Sequence, residues 1–396
     1  MRDIQIFIKK EFLLLIILLI FLINPYFKGF YMCYILAFYF LTLKFIFFIT
    51  NIDKKGILLL FFSISYSIIY SFNSTDNSFN PRADALIIYM YVISPITFYI
   101  IGKYFSTNYP SYKVYYFLFI FLTLGYSFIP AISIINHIIE DGFTGSRDLS
   151  LLWRNSEDIT ATGLASYFTL NMAALGTIFV QKTTSYENKI KFIFFGAFII
   201  SLFCVLRLAS QTQLGIALIS LLVTILYLML KQSLKRNIRL LLTISILISI
   251  IYFKISMNSV YFNILNERNP EHLRSASGRT GIWLTSIGNI TKQPFGWENP
   301  EFSYAHNLWL DVSRVAGIIP FIFLCIFTIS CINLIRKTLK ISPTNHYFNI
   351  TILVFFAGFM AVFFVEPVIE GMYMLFLIFC FFIGILSSYV KNWNVI

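Results

Sequence analysis

Charged residues are scarce in this sequence of 396 residues. They make up 12% of the chain, whereas a typical soluble domain carries about 25%. Only 18 residues are acidic and only four are histidines, so few groups are available for acid–base chemistry. The scarcity of charge excludes an ordinary water-soluble enzyme and directs attention to the few positions where charged residues do cluster.

Motifs for common cofactors are also missing. The five cysteines lie in or beside apolar runs, and none has the spacing of a metal site or a disulfide framework. The sequence contains neither a glycine-rich phosphate loop nor a nucleotide-binding pattern. We therefore expect no cofactor and no metal, and the energy for any reaction should come from the substrate. The net charge of +12 does not indicate nucleic acid here, because in a membrane protein the distribution of charge matters more than its sum.

Apolar residues make up 58% of the chain and form long runs. A membrane-spanning helix needs about 20 such residues to cross a hydrocarbon core of about 30 Å. Runs of that kind lie at about 12–29, 30–50, 56–72, 85–105, 114–136, 162–181, 190–208, 211–230, 239–256, 315–335, 347–366 and 369–390. The sequence therefore predicts an all-α polytopic membrane protein with about twelve transmembrane helices. Asn24 and Pro25 interrupt the first run, so a re-entrant hairpin there, with ten or eleven spans in total, is the alternative.

The positive charges predict the orientation of the chain. A cytoplasmic N-terminus places 18 lysines and arginines inside and 11 outside, in agreement with the positive-inside rule. We therefore expect both termini in the cytoplasm. The inner cations are mostly lysine and the outer ones mostly arginine. Because arginine binds phosphate and carboxylate through two parallel hydrogen bonds, the outer arginines predict an anionic ligand on that side.

Two outer segments are long enough to carry chemistry. The first covers about 137–161 and contains Arg147 and Arg154. The second covers about 257–314, and the spacing of its apolar residues predicts an amphipathic helix over 280–290 at the membrane interface.

The second outer segment also divides the chain into three parts. Residues 1–256 hold the first nine predicted helices, with the outer loop at about 137–161. Residues 257–314 form the one larger extracytoplasmic loop, which we expect to be catalytic. Residues 315–396 hold the last three predicted helices.

A motif in this larger loop resembles the O-antigen ligase and polymerase superfamily. Members carry an S-G-R-x-x-x-W start, a proline–glycine turn, and a histidine followed by Asn, Ser or Gln and, after nine further residues, by Gly. The corresponding residues in this chain are Ser277-Gly278-Arg279 with Trp283, Pro294-Phe295-Gly296, His306-Asn307 and Gly317. The spacing matches. The chain differs from the family at one position, because Pro320 stands where the family usually has Gly, Thr or Tyr.

Two weaker similarities lie earlier in the chain. The family usually has an arginine near the outer end of a span, in a stretch that resembles residues 209–215 here. Gln213 occupies the position of that arginine, and Arg207, six residues upstream, is the candidate to supply the missing charge. Arg154, with the small residues at 161–163, resembles the family's stretch between its fifth and sixth spans.

The resemblance implies a GT-C-like membrane glycosyltransferase in the inner membrane of a bacterium. Such an enzyme takes a glycan from an undecaprenyl diphosphate carrier and joins it to an acceptor sugar hydroxyl on the extracytoplasmic side. It needs no nucleotide sugar, metal or other cofactor. The implied partners are the carrier-linked donor and acceptor, membrane lipid and a chain-length regulator protein.

The chemistry of the residues leads to the same roles. A neutral histidine, whose ordinary pKa is about 6.5, can accept the proton of an attacking hydroxyl. His306 is therefore the candidate base, Asn307 could hold the sugar, and Arg279 could neutralise the diphosphate leaving group. Further candidates to bind the diphosphate or the glycan are Arg207, Arg274, Arg147, Arg154 and Gln213. A structural role is the alternative for each, such as a helix cap for His306 or a surface ion pair for an arginine.

Three functions compete within this interpretation. A polymerase transfers the growing chain onto the next lipid-linked repeat unit, and a ligase transfers the finished glycan to lipid A core. We favour the polymerase because the compact outer loop at 257–314 leaves little protein to accommodate lipid A. A polysaccharide flippase or another transporter, the more remote alternative, would usually place ionisable residues in mid-membrane. In this sequence Lys44 is the only clear charge inside a predicted span, and the charged candidates gather in the outer loops.

Overall fold

The computed structural model of the chain describes residues 2–24, 28–73, 85–143, 146–180, 183–231, 238, 275–297, 304–342 and 344–393. Most of these residues are helical. The helices, numbered in chain order, are α1 (Arg2–Lys10), α2 (Phe12–Ile23), α3 (Tyr31–Thr42), α4 (Phe45–Thr50), α5 (Lys54–Asn73), α6 (Ala85–Asn108), α7 (Tyr112–Asp141), α8 (Ala161–Ser166), α9 (Thr169–Ala173), α10 (Ser185–Arg207), α11 (Gln211–Lys231), α12 (Ser275–Lys292), α13 (Leu308–Ala316), α14 (Ile318–Ile341), α15 (His346–Val365), α16 (Val368–Gly371) and α17 (Tyr373–Trp393). Two short antiparallel strands, β1 (Leu149–Leu151) and β2 (Arg154–Ile159), follow α7, and a 3₁₀ helix (Ala174–Phe179) follows α9.

Eight helices within the described residues are long and apolar enough to span a membrane. They are α5, α6, α7, α10, α11, α14, α15 and α17. Each of them coincides with one of the predicted spans. The prediction of a multi-pass, predominantly helical membrane protein is therefore confirmed, whereas the count of twelve spans is not.

The first predicted span is short in the structure, and the second is divided into α3 and α4. α2 and α3 have 12 residues each, which at about 1.5 Å per residue rise only about 18 Å, whereas a hydrocarbon core measures about 30 Å. α2 ends because Asn24 adopts the left-handed conformation, with a φ of 50°. The side chain of Asn24 accepts a hydrogen bond from the N–H of Gly29 at 2.8 Å. Residues 25–27 lie outside the described residues, and the hairpin alternative stays a prediction.

The predicted span at 162–181 is divided into α8, α9 and the 3₁₀ helix, which together form the broken segment. Polar side chains within this run hydrogen-bond locally, and Thr169 Oγ1 donates to the carbonyl of Ser166 at 2.8 Å. Such bonds compete with a regular helix and satisfy backbone groups that an interruption leaves without partners. The predicted span at 239–256 lies outside the described residues.

The chain forms two compact units. The first comprises Met1–Phe128, Ile282–Asn345 and Val362–Ile396. Its α6 and α17 approach so closely that a side chain at Gly102 would collide with the backbone of α17. Small residues commonly permit such an approach between membrane helices, because the helices then pack through their backbones.

The second unit comprises Ile129–Gly281 and His346–Ala361. Here α9 and the 3₁₀ helix pack against α10 and α11. Polar side chains link these elements, and Asn171 Nδ2 donates to Ser201 Oγ at 2.9 Å inside the unit. The broken segment is therefore held by hydrogen bonds as well as by apolar packing.

Candidate functional site

The motif that resembles the ligase and polymerase superfamily folds around one short helix. The nine residues of α13 are the nine that separate His306-Asn307 from Gly317 in the sequence. Asn307 is the N-cap, and its Oδ1 accepts a hydrogen bond from the N–H of Leu310 at 3.2 Å. Gly317 ends the helix with a φ of 76°, which residues with a Cβ rarely adopt. The spacing of the motif is therefore the length of a capped helix.

The proline–glycine turn of the motif packs against Gly317. The N–H of Ile318 donates to the carbonyl of Pro294 at 2.9 Å. A side chain at position 317 would collide with the backbone of Pro294 and Phe295. The turn and the glycine of the motif are thus in direct contact, and this contact fixes the place where α13 ends and α14 begins.

α12 brings a third part of the motif to the same place. The predicted helix over 280–290 lies within α12 and is confirmed. The indole Nε1 of Trp283 donates to the carbonyl of Ala305 at 2.9 Å, and Ile290 packs in a buried apolar cluster with Ala305. Ile287 on the same helix is exposed. The tryptophan of the motif therefore contacts the residue directly before the candidate base.

His306 is held in a left-handed backbone conformation. Its φ is 52°, and such a conformation costs a residue other than glycine about 1–3 kcal/mol. The Asp311 carboxylate accepts hydrogen bonds from the N–H groups on both sides of His306, from Ala305 at 2.6 Å and from Asn307 at 3.1 Å. Asp311 therefore clamps the loop that carries the candidate base.

Asp311 is itself a buried acid. Burial raises its pKa to about 6, although Arg314 and the two backbone N–H groups lower it. The Nε of Arg314 lies 3.7 Å from Oδ1 of Asp311. At neutral pH the clamp is therefore ionised, and its two hydrogen bonds are charge-assisted.

Glu366 places a carboxylate beside His306. Its Oε2 lies 4.0 Å from Nδ1 of His306. The two residues differ in exposure, because Glu366 is 2% exposed and the side chain of His306 is 36% exposed. A nearby carboxylate stabilises the protonated imidazole, and with Nδ1 facing the acid, Nε2 points the other way. The geometry suits a histidine that accepts a proton on Nε2.

Arg314 lies in a buried charged cluster that the sequence does not predict. It donates to the carboxylate of Glu370, and its guanidinium lies 5.7 Å from the ring centroid of Tyr304, within the range of a cation–π contact. In sequence Arg314 is only one of the outer cations. The signal that could have found this cluster is the pair Glu366 and Glu370 around Pro367, in an otherwise apolar run.

Two of the predicted anion-binding residues meet at the turn between α10 and α11, within the second unit. Arg207 is the buried last residue of α10, and its Nη1 donates to the carbonyl of Ser146 at 2.9 Å. Arg147 donates from Nε to the carbonyl of Leu208 at 2.9 Å and from Nη2 to that of Ala209 at 3.4 Å. Cations bound near the carbonyl end of a helix stabilise it, so Arg147 also supports this turn.

Gln213, which stands where the family usually has arginine, is buried on α11. Its Nε2 donates to Thr169 Oγ1 at 3.2 Å. Its Oε1 accepts no hydrogen bond from any residue that the structure describes. Gln213 therefore contacts the broken segment through α9.

The remaining predicted residues are placed on other elements. Arg279 lies on α12, four residues and so about one turn before Trp283. Arg154 is the first residue of β2. The predicted position of Arg274 lies outside the described residues.

Two groups of predicted residues result. The first unit holds His306 and Asn307 beside Glu366, and the second holds Arg147 with Arg207. Within the described ranges, no group of three or more His, Cys, Asp or Glu side chains could hold a metal ion.

No family model matches this chain, and no curated protein matches it.

Proposed function

We propose that the protein is a polysaccharide polymerase, a membrane glycosyltransferase that joins undecaprenyl-diphosphate-linked repeat units on the extracytoplasmic side of a bacterial inner membrane. The observation that carries the proposal is the partly exposed His306, whose Nδ1 faces the buried carboxylate of Glu366 at 4.0 Å. General-base catalysis needs a titratable group that is positioned on one side and open to the substrate on the other. His306 stands in the motif whose separate parts meet around α13, and Glu366 reaches it from the end of α15.

In the proposed reaction, a hydroxyl oxygen of the acceptor sugar attacks the anomeric carbon of the donor. The hydroxyl proton passes to Nε2 of His306 while the new carbon–oxygen bond forms. The bond between the anomeric carbon and the diphosphate breaks, and the diphosphate leaves with the bonding electron pair. Glu366 stabilises the imidazolium that results. A positioned general base of this kind contributes about 10²–10⁴ to the rate.

Arginines are the proposed partners of the leaving diphosphate, because their guanidinium groups bind phosphate oxygens in pairs. Arg279 is the first candidate, since it stands in the same motif as His306. Arg314 is not a candidate because its guanidinium already binds Glu370. Further candidates for the carrier or the glycan are Arg207, Arg147, Arg154, Arg274, Gln213 and Asn307.

The proposal is tested by polymer formation in a deletion strain that is complemented with variants. We expect His306→Ala to abolish polymer. Glu366→Gln should reduce it at least about tenfold, because the amide keeps the size of the side chain but not the charge that stabilises the imidazolium. Glu140→Gln, at an exposed acid of α7, is the matched control. Normal polymer from His306→Ala, at equal amounts of protein in the membrane, would exclude the proposed chemistry.

The deletion strain also separates the two transfer reactions, if the host is Gram-negative. Without a polymerase, the ligase of the same cell transfers only single units, so lipopolysaccharide should carry one repeat on the core. Without a ligase, the core should stay bare while carrier-linked polymer accumulates in the inner membrane. Gel analysis of lipopolysaccharide and of carrier-linked glycan distinguishes these results. Bare core would indicate that the protein is a ligase and not a polymerase.

A further inference from the structure

We propose that Tyr304 is the platform on which the sugar ring of the acceptor lies while His306 activates its hydroxyl. The proposal rests on the proposed function, because it assigns the acceptor-binding part of the same site. The ligand that it predicts is a pyranose ring, bound through its C–H face. Tyr304 would thereby determine how well the acceptor binds, and His306 would determine the chemistry.

The side chains around His306 differ in exposure. The charged side chains of Asp311, Arg314 and Glu366 are buried. Tyr304 is 38% exposed, and the side chain of His306 is 36% exposed. A substrate that reaches His306 therefore meets a phenol ring next to it, while the charges behind both rings are shielded.

The rings of Tyr304 and His306 lie close to each other. The ring centroids of Tyr304 and His306 lie 6.2 Å apart, and their planes are inclined by 66°. This separation is comparable to the width of one sugar ring. A pyranose stacked on Tyr304 would consequently place a hydroxyl at its edge beside the imidazole.

Tyr304 is held in place by Arg314. The guanidinium of Arg314 lies 5.7 Å from the centroid of the ring, within the range of a cation–π contact. Arg314 is fixed in turn by Glu370 and by Asp311. A ring that is ordered before binding loses little conformational freedom when the ligand arrives, and this favours affinity.

The chemistry of the two surfaces is complementary. The face of an aromatic ring carries partial negative charge and is apolar. One face of a pyranose ring presents C–H groups with partial positive charge, whereas its hydroxyls point outward around the rim. Stacking therefore buries the apolar face of the sugar and leaves its hydroxyls free to hydrogen-bond or react. The phenolic hydroxyl is not needed for this contact.

The experiment compares glycan transfer with hydrolysis by the purified full-length protein and a carrier-linked repeat unit. Tyr304→Leu should lower transfer about tenfold, through a higher KM for the acceptor. It should leave hydrolysis of the donor within about twofold, because water needs no platform and His306 with Glu366 is unchanged. Tyr304→Phe and Tyr304→Trp keep an aromatic face and should stay within about threefold in transfer. Tyr89→Leu, at a tyrosine of α6 that is 59% exposed, is the matched control.

Each result either supports the platform or overturns it. Equal losses of transfer and hydrolysis in Tyr304→Leu would mean that the ring only supports the His306 loop, and would overturn the platform. Unchanged transfer in Tyr304→Leu, or a large loss in Tyr304→Phe, would overturn it as well. If the wild-type chain neither transfers nor hydrolyses the donor, the proposed function itself fails, and this outcome is distinguishable from failure of the platform alone.

Discussion

Replacement of Asp311 by asparagine tests whether the clamp around His306 is needed for activity. In the wild-type protein the carboxylate accepts hydrogen bonds from Ala305 and Asn307 at 2.6 and 3.1 Å. An amide has one acceptor oxygen, and its NH₂ group cannot accept from a backbone N–H. Asp311→Asn should therefore lose one of the two bonds and remove the charge assistance from the other.

The expected loss of activity follows from these bonds. A hydrogen bond to a charged group contributes about 1.5–3 kcal/mol and a neutral one about 0.5–1.5 kcal/mol. The left-handed conformation of His306, with a φ of 52°, opposes the clamp by about 1–3 kcal/mol. A weakening of about 2 kcal/mol lowers the ratio of competent to released loop about 30-fold, and this factor is the upper limit for the loss of rate.

The free energy of unfolding of Asp311→Asn should not fall along with its activity. Burial raises the pKa of Asp311 to about 6 from an ordinary 3.8, so between these values the folded protein binds more protons than the unfolded chain. The contribution of Asp311 to stability therefore rises as the pH falls from 6 to 4, and above pH 6 the folded state bears the cost of an ionised buried acid. Because asparagine carries no charge, Asp311→Asn should melt no lower than wild type at pH 7.5. This advantage should shrink towards pH 5.

The assay measures polymer formation and thermal unfolding of the same purified variants at pH 7.5 and pH 5. The ratio of wild-type to Asp311→Asn activity should fall towards one at pH 5, because Asp311 of the wild-type protein, with its pKa of about 6, is then mostly protonated. Ser313→Ala removes another buried hydrogen bond of α13 and serves as the control, with unchanged pH dependence expected. Full activity in Asp311→Asn, or parallel loss of activity and folding, would refute the clamp.

Two further predictions concern packing and orientation. Gly102→Ala should destabilise the protein by about 1–3 kcal/mol in thermal unfolding, because the added Cβ would meet the backbone of α17, whereas Gly215→Ala has nothing within 4 Å and should be neutral. A cysteine at Gln293, after α12, should react with an impermeant thiol reagent in intact spheroplasts, and one at Thr344, between α14 and α15, only after lysis. The reverse labelling would place the His306 loop in the cytoplasm and exclude the proposed chemistry.

Features that depend on neighbouring residues could be predicted from the sequence. Hydropathy over about 20 residues identified the eight long apolar helices, since each must bury its own backbone polar groups. The nine-residue spacing from His306-Asn307 to Gly317 is local as well, because it is set by an N-cap and a C-terminal glycine. The clamp also depends on nearby residues, since Asp311 lies four residues after Asn307, at the start of a helix.

Features that depend on packing were decided only by the tertiary structure. Arg314 and Glu370 are 56 residues apart, and no local pattern indicates that they pair, or that Glu366 faces His306. Arg207 likewise donates to the carbonyl of Ser146, which is 61 residues away in the sequence. The sequence by itself determined where apolar helices form and where one of them is capped, because those effects act within a few residues. The tertiary structure decided which charges are buried against each other and which rings stay exposed, because these depend on how the helices pack.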